Sequence, residues 1–260
     1  TSKLNVEVEK WIEINKNYHV KYYNDTSIGK FSLAFLSKVW ADIKNGDVIN
    51  IQYIFSTTTV AALVYARAFN KPILLTPRGS LCKWCLLQGS KYKKLWLFSF
   101  IKPFANSVVW HSTSNQESKD ILSIYPKAKI YMIPNGIDYY NYQLHGKISS
   151  QYFTKYFFCK DTAPLGKVVV SMGRICKVKG FDILINAFAR VLKYYPNSKL
   201  IIAGTDEGIR SDLYSQIHRL KLNSEIFIID AIYGEEKNNF LANADLFALP
   251  SHSENFGNVY

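Results

Sequence analysis

The chain has 260 residues, of which 48% are hydrophobic and 20% are charged. This balance is ordinary for a folded globular protein and excludes a wholly disordered chain. No run approaches the ~18 consecutive apolar residues that a membrane-spanning helix needs. The net charge is +12, and between Asp47 and Glu117 the chain has eight basic residues and no acidic one. Such a field attracts anions, whether nucleic acid, phosphorylated substrates or an anionic membrane surface.

The first half of the chain alternates strand and helix patterns. The predicted elements are a strand over 47–53, a helix from 57 to about 69, strands over 71–76, 107–112 and 129–133, and a helix that starts at the capping box Ser114-x-x-Glu117. This βαβα order predicts a Rossmann-like α/β domain over residues 1–145.

The second half repeats the pattern more clearly, after a segment without periodicity that predicts a linker over 139–166. Its predicted elements are strands over 168–172, 199–203, 226–229 and 245–249 and helices near 181–192, 207–220 and 235–242. Repeated βα units of this length predict a parallel, doubly wound sheet in a second Rossmann-like domain, 146–260. Ligands of such sheets bind at the carboxyl ends of the strands.

The four cysteines are too few and too scattered for a disulfide framework. Cys82 and Cys85 have the C-x-x-C spacing of a redox pair or of half a zinc site. A zinc site needs a second pair at similar spacing, and neither Cys159 nor Cys176 has such a neighbour. Reduced, packed thiols are therefore favoured, and we predict no metal site.

Three strand ends in the second half carry residues suited to a phosphorylated ligand. Gly173-Arg174 and the following Lys179-Gly180 place two cations near a helix N-terminus, which suits a diphosphate, although a solvated turn explains them equally well. The segment from Gly204 to Gly208 leaves room for a nucleotide or simply turns into a helix. In the segment Ser251–Gly257, Glu254 could meet sugar hydroxyls or be an acidic N-cap.

Together these strand ends resemble glycosyltransferase family 4, the retaining enzymes of the GT-B fold, whose two Rossmann-like domains have parallel sheets facing a central cleft. The G-R…K-G pair matches the family, and Ser251-His-Ser-Glu254-Asn-Phe-Gly257 matches the S-x-E-x-F-G start of its E-x7-E motif. The resemblance covers about residues 47–260, through Pro77-Arg-Gly-Ser80, Trp110-His-Ser-Thr-Ser114, Ile133-Pro-Asn-Gly-Ile-Asp138, Tyr233-Gly-Glu-Glu236 and Ala244-Asp-Leu-Phe247.

The resemblance implies a role for each matching residue. Arg174 and Lys179 would bind the donor diphosphate and stabilise the leaving group without a metal, and Glu254 would bind the donor sugar. These three are the expected catalytic residues. The expected donor-binding residues are Gly173, Gly204, Ile232, Phe256 and Gly257, and the residues expected in the cleft are Arg78, His111 and Asn135. The alternative for His111 is a packed strand-end histidine.

Some positions depart from the family pattern. Asp230-Ala231 stands where the family has glycine and often proline, and Asp tolerates unusual backbone angles, so we expect the base-binding turn to persist. Arg78 stands where many relatives have histidine. The glycine-rich acceptor loop and the motif's second Glu are missing, and Thr1 begins the chain without an initiator Met. We therefore expect a fragment, truncated at both ends, with little activity of its own.

The resemblance implies transfer of a sugar from a nucleotide-sugar, UDP-linked as first choice, to a glycan or lipid-linked acceptor in bacterial surface polysaccharide or lipopolysaccharide synthesis. No cofactor other than this donor is expected. The alternatives are a sugar-nucleotide epimerase of the same fold and, on charge alone, a nucleic-acid-binding protein without a recognition helix. We expect a cytoplasmic enzyme. Lys91, Lys93 and Lys94 beside Trp96 favour peripheral contact with an anionic membrane, or form a solvated helix face.

Overall fold

The computed structural model of the chain describes residues 6–24, 31–88, 92–137, 152–156 and 166–257. The chain divides into two compact units, Thr1–Asn135 and Gly136–Tyr260. Each unit contains a four-stranded sheet whose strands run parallel. The predicted boundary after residue 145 and most of the predicted linker over 139–166 lie outside the described residues.

The first unit begins with an antiparallel ribbon and continues with alternating strands and helices. In chain order its elements are β1 (Trp11–Asn15), β2 (Tyr18–Lys21), α1 (Leu33–Asn45), β3 (Ile49–Gln52), α2 (Thr57–Ala68), β4 (Ile73–Thr76), α3 (Lys83–Leu87), α4 (Lys93–Trp96), β5 (Val109–Ser112), α5 (Asn115–Ile124) and β6 (Lys129–Met132). A π-helical turn, Leu97–Ile101, continues α4. The strand order of the sheet is β3-β4-β5-β6, so each strand pairs with the next one along the chain.

Serine side chains mark where the helices of the first unit begin. The Ser114 hydroxyl accepts a hydrogen bond from the Glu117 amide at 3.2 Å, which confirms the predicted N-cap and the start of α5 at the next residue. The Glu117 carboxylate accepts from the Thr113 amide rather than from the Ser114 amide, so the reciprocal half of the capping box is shifted by one residue. The Ser56 hydroxyl accepts from the Thr58 amide at 3.3 Å in the same way at the start of α2. Local capping chemistry therefore decides these helix starts.

The second unit repeats the βα pattern. Its elements are β7 (Val168–Met172), α6 (Phe181–Val191), β8 (Lys199–Ala203), α7 (Arg210–Arg219), β9 (Ile226–Ile229), α8 (Gly234–Asn243) and β10 (Leu246–Phe247), with short 3-10 helices at Tyr152–Tyr156 and Lys177–Lys179. The strand order is β10-β7-β8-β9. The last strand is shorter than the predicted 245–249.

Apolar side chains cover both faces of the second sheet. One face packs against Phe181, Ile185 and Ile217, and the other against Phe153 and Phe240, whose ring centroids are 5.6 Å apart. Burial on both faces explains why the strands are continuous apolar runs, and it confirms the predicted doubly wound sheet. Phe153 lies in the segment predicted as linker, so this part of that segment belongs to the second core.

Helix length and the grouping of possible metal ligands can be stated for the described part of the chain. No helix there is long and apolar enough to cross a membrane. No three His, Cys, Asp or Glu side chains in the described ranges are grouped as metal ligands. Cys82 is instead the N-cap of α3, where its sulfur accepts a hydrogen bond from the Cys85 amide at 3.3 Å.

Candidate functional site

The carboxyl ends of β7 and β8 lie against each other without side chains between them. A Cβ atom built on Gly204 would lie 1.8 Å from the carbonyl oxygen of Gly173. Beyond the strands, the Ile175 amide donates to the Thr205 carbonyl at 2.8 Å, and the Glu207 amide donates to the Ile175 carbonyl at 3.0 Å. Backbone contacts therefore join the two loops, and glycine at 204 is a steric requirement.

The loop that follows β10 packs onto the same edge. Gly180 has a left-handed backbone, with φ at +66°, and a Cβ atom there would lie 2.1 Å from the Pro250 carbonyl oxygen. The His252 amide donates to the Val178 carbonyl at 2.8 Å. The structure thus brings the three strand ends singled out in the sequence into one place, at the carboxyl edge of the second sheet.

Each of the two cations predicted to bind a diphosphate is paired with a carboxylate. The Lys179 ammonium donates to Glu254 Oε2 at 2.7 Å, and only 13% of the Lys179 side chain is exposed. The Arg174 guanidinium donates through Nη1 to both oxygens of Glu207 at 3.0 Å, with 64% of its side chain exposed. An incoming phosphate would therefore exchange with carboxylates that already hold these cations in place.

Arg210 links the ends of β8 and β9, a role that the sequence analysis missed. Its Nη2 donates to the carbonyl oxygens of Gly204 and Ile229 at 2.9 and 3.2 Å, and its Nη1 donates to Asp230 Oδ1 at 2.9 Å. Asp230, which departs from the family pattern, is therefore hydrogen-bonded to Arg210 of the same unit. Two features of the sequence indicate this contact: Arg210 lies near the start of the helix after β8, and Asp230 directly follows β9.

The remaining predicted donor-binding residues flank this edge. The side chain of Ile232 packs against the buried cluster around Phe240, so the apolar core orients the turn after β9. Gly257 has a left-handed backbone, with φ at +71°, and Phe256 beside it is partly buried. The donor-binding role of these residues stays a prediction.

The loop after β8 is held by Asp206, and we expect Asp206→Ala to destabilise the second unit in a pH-dependent way. One Asp206 oxygen accepts from the amides of Gly208, Ile209 and Arg210. These hydrogen bonds, of which the one from Gly208 has the largest effect, hold the pKa of Asp206 below its ordinary value. A lowered folded pKa means that the stabilisation is present above the unfolded value, about 3.9, and is lost as the pH falls through the folded pKa.

Urea unfolding from about pH 6 down to about pH 3 measures this effect, because the range brackets the ordinary pKa of an aspartate. The stability difference between the parent and Asp206→Ala should shrink as the solution becomes acidic. Asp206→Asn, which keeps an acceptor oxygen without the charge, serves as the control. An unchanged difference across the range would contradict the capping role of the charged carboxylate.

The carboxyl edge of the first sheet carries the three residues predicted for the cleft. The Arg78 guanidinium donates through Nη1 to Asn135 Oδ1 at 2.8 Å. The Nε2 atom of His111 lies 2.8 Å from the Ile133 carbonyl oxygen and its Nδ1 lies 3.1 Å from the Thr76 hydroxyl oxygen. Because a carbonyl only accepts, Nε2 donates, and in the neutral ring Nδ1 then accepts from the Thr76 hydroxyl. Both ring nitrogens are used within the unit, which favours the packed strand-end histidine.

Buried Glu117 connects two loops at this edge. It is 2% exposed, and one of its oxygens accepts from the Gly79 amide at 2.7 Å. The other accepts from the Thr113 amide and hydroxyl at 2.7 and 2.9 Å. The sequence predicted Glu117 only as half of a capping box, because its contact with Gly79 depends on the packing of β4 beside β5.

A shallow pocket in the second unit lies at the opposite, amino edge of the sheet. It is lined by Lys167, Tyr195, Ser198 and Asp245, among others. Lys167 pairs there with Asp245 at 3.3 Å, and the same carboxylate accepts from the Val168 amide at 2.9 Å. These contacts stabilise the start of β7. Because ligands of parallel sheets bind at the carboxyl edge, this pocket is not the candidate site.

Most of the second unit is similar to a known protein family. Residues 156–260 match the family described as "Glycosyl transferases group 1". The chain is 28% identical over 207 residues to the capsular polysaccharide biosynthesis glycosyltransferase CapM of Staphylococcus aureus, covering 77% of this chain and 51% of CapM. The chain thus spans about half the length of this relative. The match favours a glycosyltransferase over the epimerase alternative.

Two further comparisons extend over most of the chain. A Campylobacter jejuni protein named N-acetylgalactosamine-N,N'-diacetylbacillosaminyl-diphospho-undecaprenol 4-alpha-N-acetylgalactosaminyltransferase is 25% identical over 242 residues, covering 91% of this chain and 61% of that protein. The crystal structure of Anabaena Alr3699/HepE in complex with UDP-glucose has a TM-score of 0.70 at 16% identity, covering 90% of this chain and 61% of that one. This likeness shows the fold, α/β units with parallel sheets as in GT-B glycosyltransferases.

Proposed function

We propose that this chain is part of a retaining glycosyltransferase of the family 4 type. It moves a sugar from a nucleotide-sugar, UDP-linked as first choice, to a glycan or lipid-linked acceptor in bacterial surface polysaccharide synthesis. One observation carries the proposal. Arg174, Lys179 and Glu254 lie on loops that pack together at the carboxyl edge of the second sheet, inside the segment that matches the group 1 family.

In the proposed mechanism, the donor diphosphate exchanges with the carboxylates that hold the two cations. Lys179 and Arg174 then neutralise the charge that develops on the leaving nucleoside diphosphate, which is an electrostatic contribution in a site already folded around it. Glu254, freed from Lys179, accepts hydrogen bonds from hydroxyls of the donor sugar. Before the donor binds, Lys179 Nζ and Glu254 Oε2 are 2.7 Å apart. A diphosphate that replaces Glu254 on Lys179 would therefore lie beside Glu254.

Backbone groups supply the rest of the proposed donor site. Glycine at 204 lets the ends of β7 and β8 pack closely, and the Lys179 side chain lies over Gly173, whose Cβ would be 3.5 Å from Lys179 Cε. The amides near Phe256 and Gly257 would support the phosphates, and the turn at Ile232 would face the base. The names of CapM and of the Campylobacter enzyme support the acceptor class, since one refers to capsular polysaccharide and the other to an undecaprenol diphosphate.

The activity is tested on the complete gene product with a panel of UDP-sugars and candidate acceptors. We expect UDP release that depends on both substrates, and loss of turnover in Glu254→Gln, which is isosteric but uncharged. A glycosidic bond with the anomeric configuration of the donor is the expected product. An epimerised donor formed without UDP release would overturn the proposal in favour of the epimerase.

We also propose that the protein contacts an anionic membrane through the helix formed by α4 and its π-helical turn. Leu97 and Ile101 are buried, whereas Lys94, Leu95, Phe98 and Lys102 are exposed. We call these four residues the outward face. The Lys102 ammonium lies 4.5 Å from the Phe98 ring centroid, so charge and aromatic surface are adjacent. This combination suits the headgroup region of a bilayer.

The contacts of the lysines change which of them we include in this proposal. Lys93 donates to the carbonyl oxygens of Cys85 and Gln88, so its ammonium closes the end of α3. Lys91 lies outside the described residues. Trp96 is held by a hydrogen bond from its indole to the Ile54 carbonyl at 3.0 Å. The exposed cations of the outward face are Lys94 and Lys102, and Lys83 at the start of α3 is also exposed.

Replacing Lys83, Lys94 and Lys102 with Gln should weaken binding to anionic vesicles about 100-fold, since each lysine near the surface contributes about 1 kcal/mol. Vesicle sedimentation measures the change, and added salt should weaken the parent in the same way. The control replaces Lys44, Lys119 and Lys127, which are also exposed, and removes the same charge. An equal loss of vesicle binding in both triple variants would mean that binding depends only on net charge, and it would contradict the role of the outward face.

A further inference from the structure

Arg78 is hydrogen-bonded to two side chains that leave its charge unneutralised. Its Nε donates to Gln52 Oε1 at 3.1 Å, and its Nη1 donates to Asn135 Oδ1 at 2.8 Å. Both partners are neutral amides. In contrast, Arg174 and Arg210 each pair with a carboxylate. Within the described ranges, Arg78 has no acidic partner, and the chain from residue 48 to residue 116 contains no acid at all.

The backbone at Arg78 adopts a conformation that side chains other than glycine rarely adopt. Its φ is +52°, and the following Gly79 is also left-handed, with φ at +75°. Such a residue carries a conformational cost that the surrounding contacts must offset. Glu117 supplies one of these contacts by accepting from the Gly79 amide. The second Glu117 oxygen is occupied by Thr113, so this carboxylate positions the turn and makes no ion pair with the guanidinium.

The three side chains meet where a ligand of the first sheet would bind. Gln52 is the last residue of β3, Arg78 follows β4, and Asn135 follows β6. The carboxyl ends of three strands therefore contribute to one cluster. A guanidinium held in this way retains Nη2 for a ligand.

We infer that Arg78 binds an oxyanion, a phosphate or carboxylate group, of the sugar acceptor. That the anion belongs to the sugar acceptor rests on the proposed function. That Arg78 binds an anion rests on the geometry of the first unit. A guanidinium fork recognises the paired oxygens of either group. Gln52 and Asn135 orient the fork without competing for its charge.

The test uses the chain labelled with 15N and saturated with UDP, so that the second unit is occupied. Sodium phosphate, sodium acetate and neutral glycerol are titrated separately, and the Arg78 side-chain Nε–H and Gly79 amide resonances are followed. We expect phosphate to shift both resonances with a dissociation constant of about 10 mM, as one charge-assisted contact implies. If acetate shifts them as well, the site also accepts carboxylates, and if only phosphate does, the acceptor group is a phosphate.

Arg78→Gln should abolish the shift of the Gly79 resonance, and Arg78→Lys should retain a weaker response, because a point charge remains without the fork. The matched control is Arg67→Gln, which removes the same charge from an exposed arginine of the same unit and should leave the titration unchanged. No response to either anion, or an equal response in Arg78→Gln, would overturn the inference. UDP binding in the same samples reports on the second unit, so failure of the proposed function is recognised separately.

Discussion

Lys179→Ala is expected to weaken UDP binding about tenfold or more, because a charge-assisted contact to phosphate contributes roughly 1.5–3 kcal/mol. Lys179 is well suited to this contact. Its side chain is 13% exposed and its ammonium is held at 2.7 Å from Glu254, so little conformational freedom is lost on binding. Arg174→Ala should have a similar effect on affinity. Calorimetric titration with UDP measures both.

The matched control is Lys177→Ala, an exposed lysine of the same 3-10 helix, which should leave UDP affinity unchanged. The free energy of unfolding of Arg174→Ala should fall by no more than about 1 kcal/mol, because its ion pair with Glu207 is solvent-exposed. Unchanged UDP affinity in both Lys179→Ala and Arg174→Ala would return these cations to the solvated turn that the sequence also allowed.

Gly204→Ala is expected to destabilise the second unit by about 3 kcal/mol, at the upper end of the cost of overpacking. The added methyl group would lie 1.8 Å from the Gly173 carbonyl oxygen, and that atom belongs to the backbone rather than to a flexible side chain. The ends of β7 and β8 would have to separate, which also disturbs the loops that carry Arg174 and Glu207. Chemical unfolding monitored by circular dichroism measures the loss.

Gly136→Ala provides the comparison, because a Cβ atom there would meet nothing within 4 Å. This variant should change stability by less than about 1 kcal/mol. Should Gly204→Ala prove as stable as Gly136→Ala, the close approach of β7 and β8 would be wrong, and with it the arrangement of the donor site.

The parallel sheets were largely predictable from the sequence because their strands are buried on both faces and therefore continuous in hydrophobicity. The strands at 168–172, 199–203 and 226–229 were predicted with the bounds that the structure shows. The ribbon of β1 and β2 and helix α1 were missed. Helix α1 carries Phe35, Val39 and Ile43 in the core at helical spacing, so this helix was predictable from the sequence. The exposed ribbon has no core to enforce an apolar pattern.

The site was predictable as a set of strand ends and not as a set of pairs. Glycine and charge at the ends of β7, β8 and β10 indicated a phosphate site, because parallel topology brings those ends together. The partners Glu207, Arg210 and Glu117 could not be assigned from spacing. Each makes its decisive contact with a residue on a different loop, at a distance set by how neighbouring strands pack.

In the proposed function, the carboxyl edge of the second sheet binds a nucleoside diphosphate. Hydrogen–deuterium exchange with and without UDP tests it most directly, because the amides of all three loops are read in one experiment. We expect slower exchange over 173–180, 204–209 and 250–257, and no change along the amino edge around Lys167 and Ser198. Protection of the amino edge alone, or no protection of either edge at saturating UDP, would contradict nucleoside diphosphate binding at the carboxyl edge.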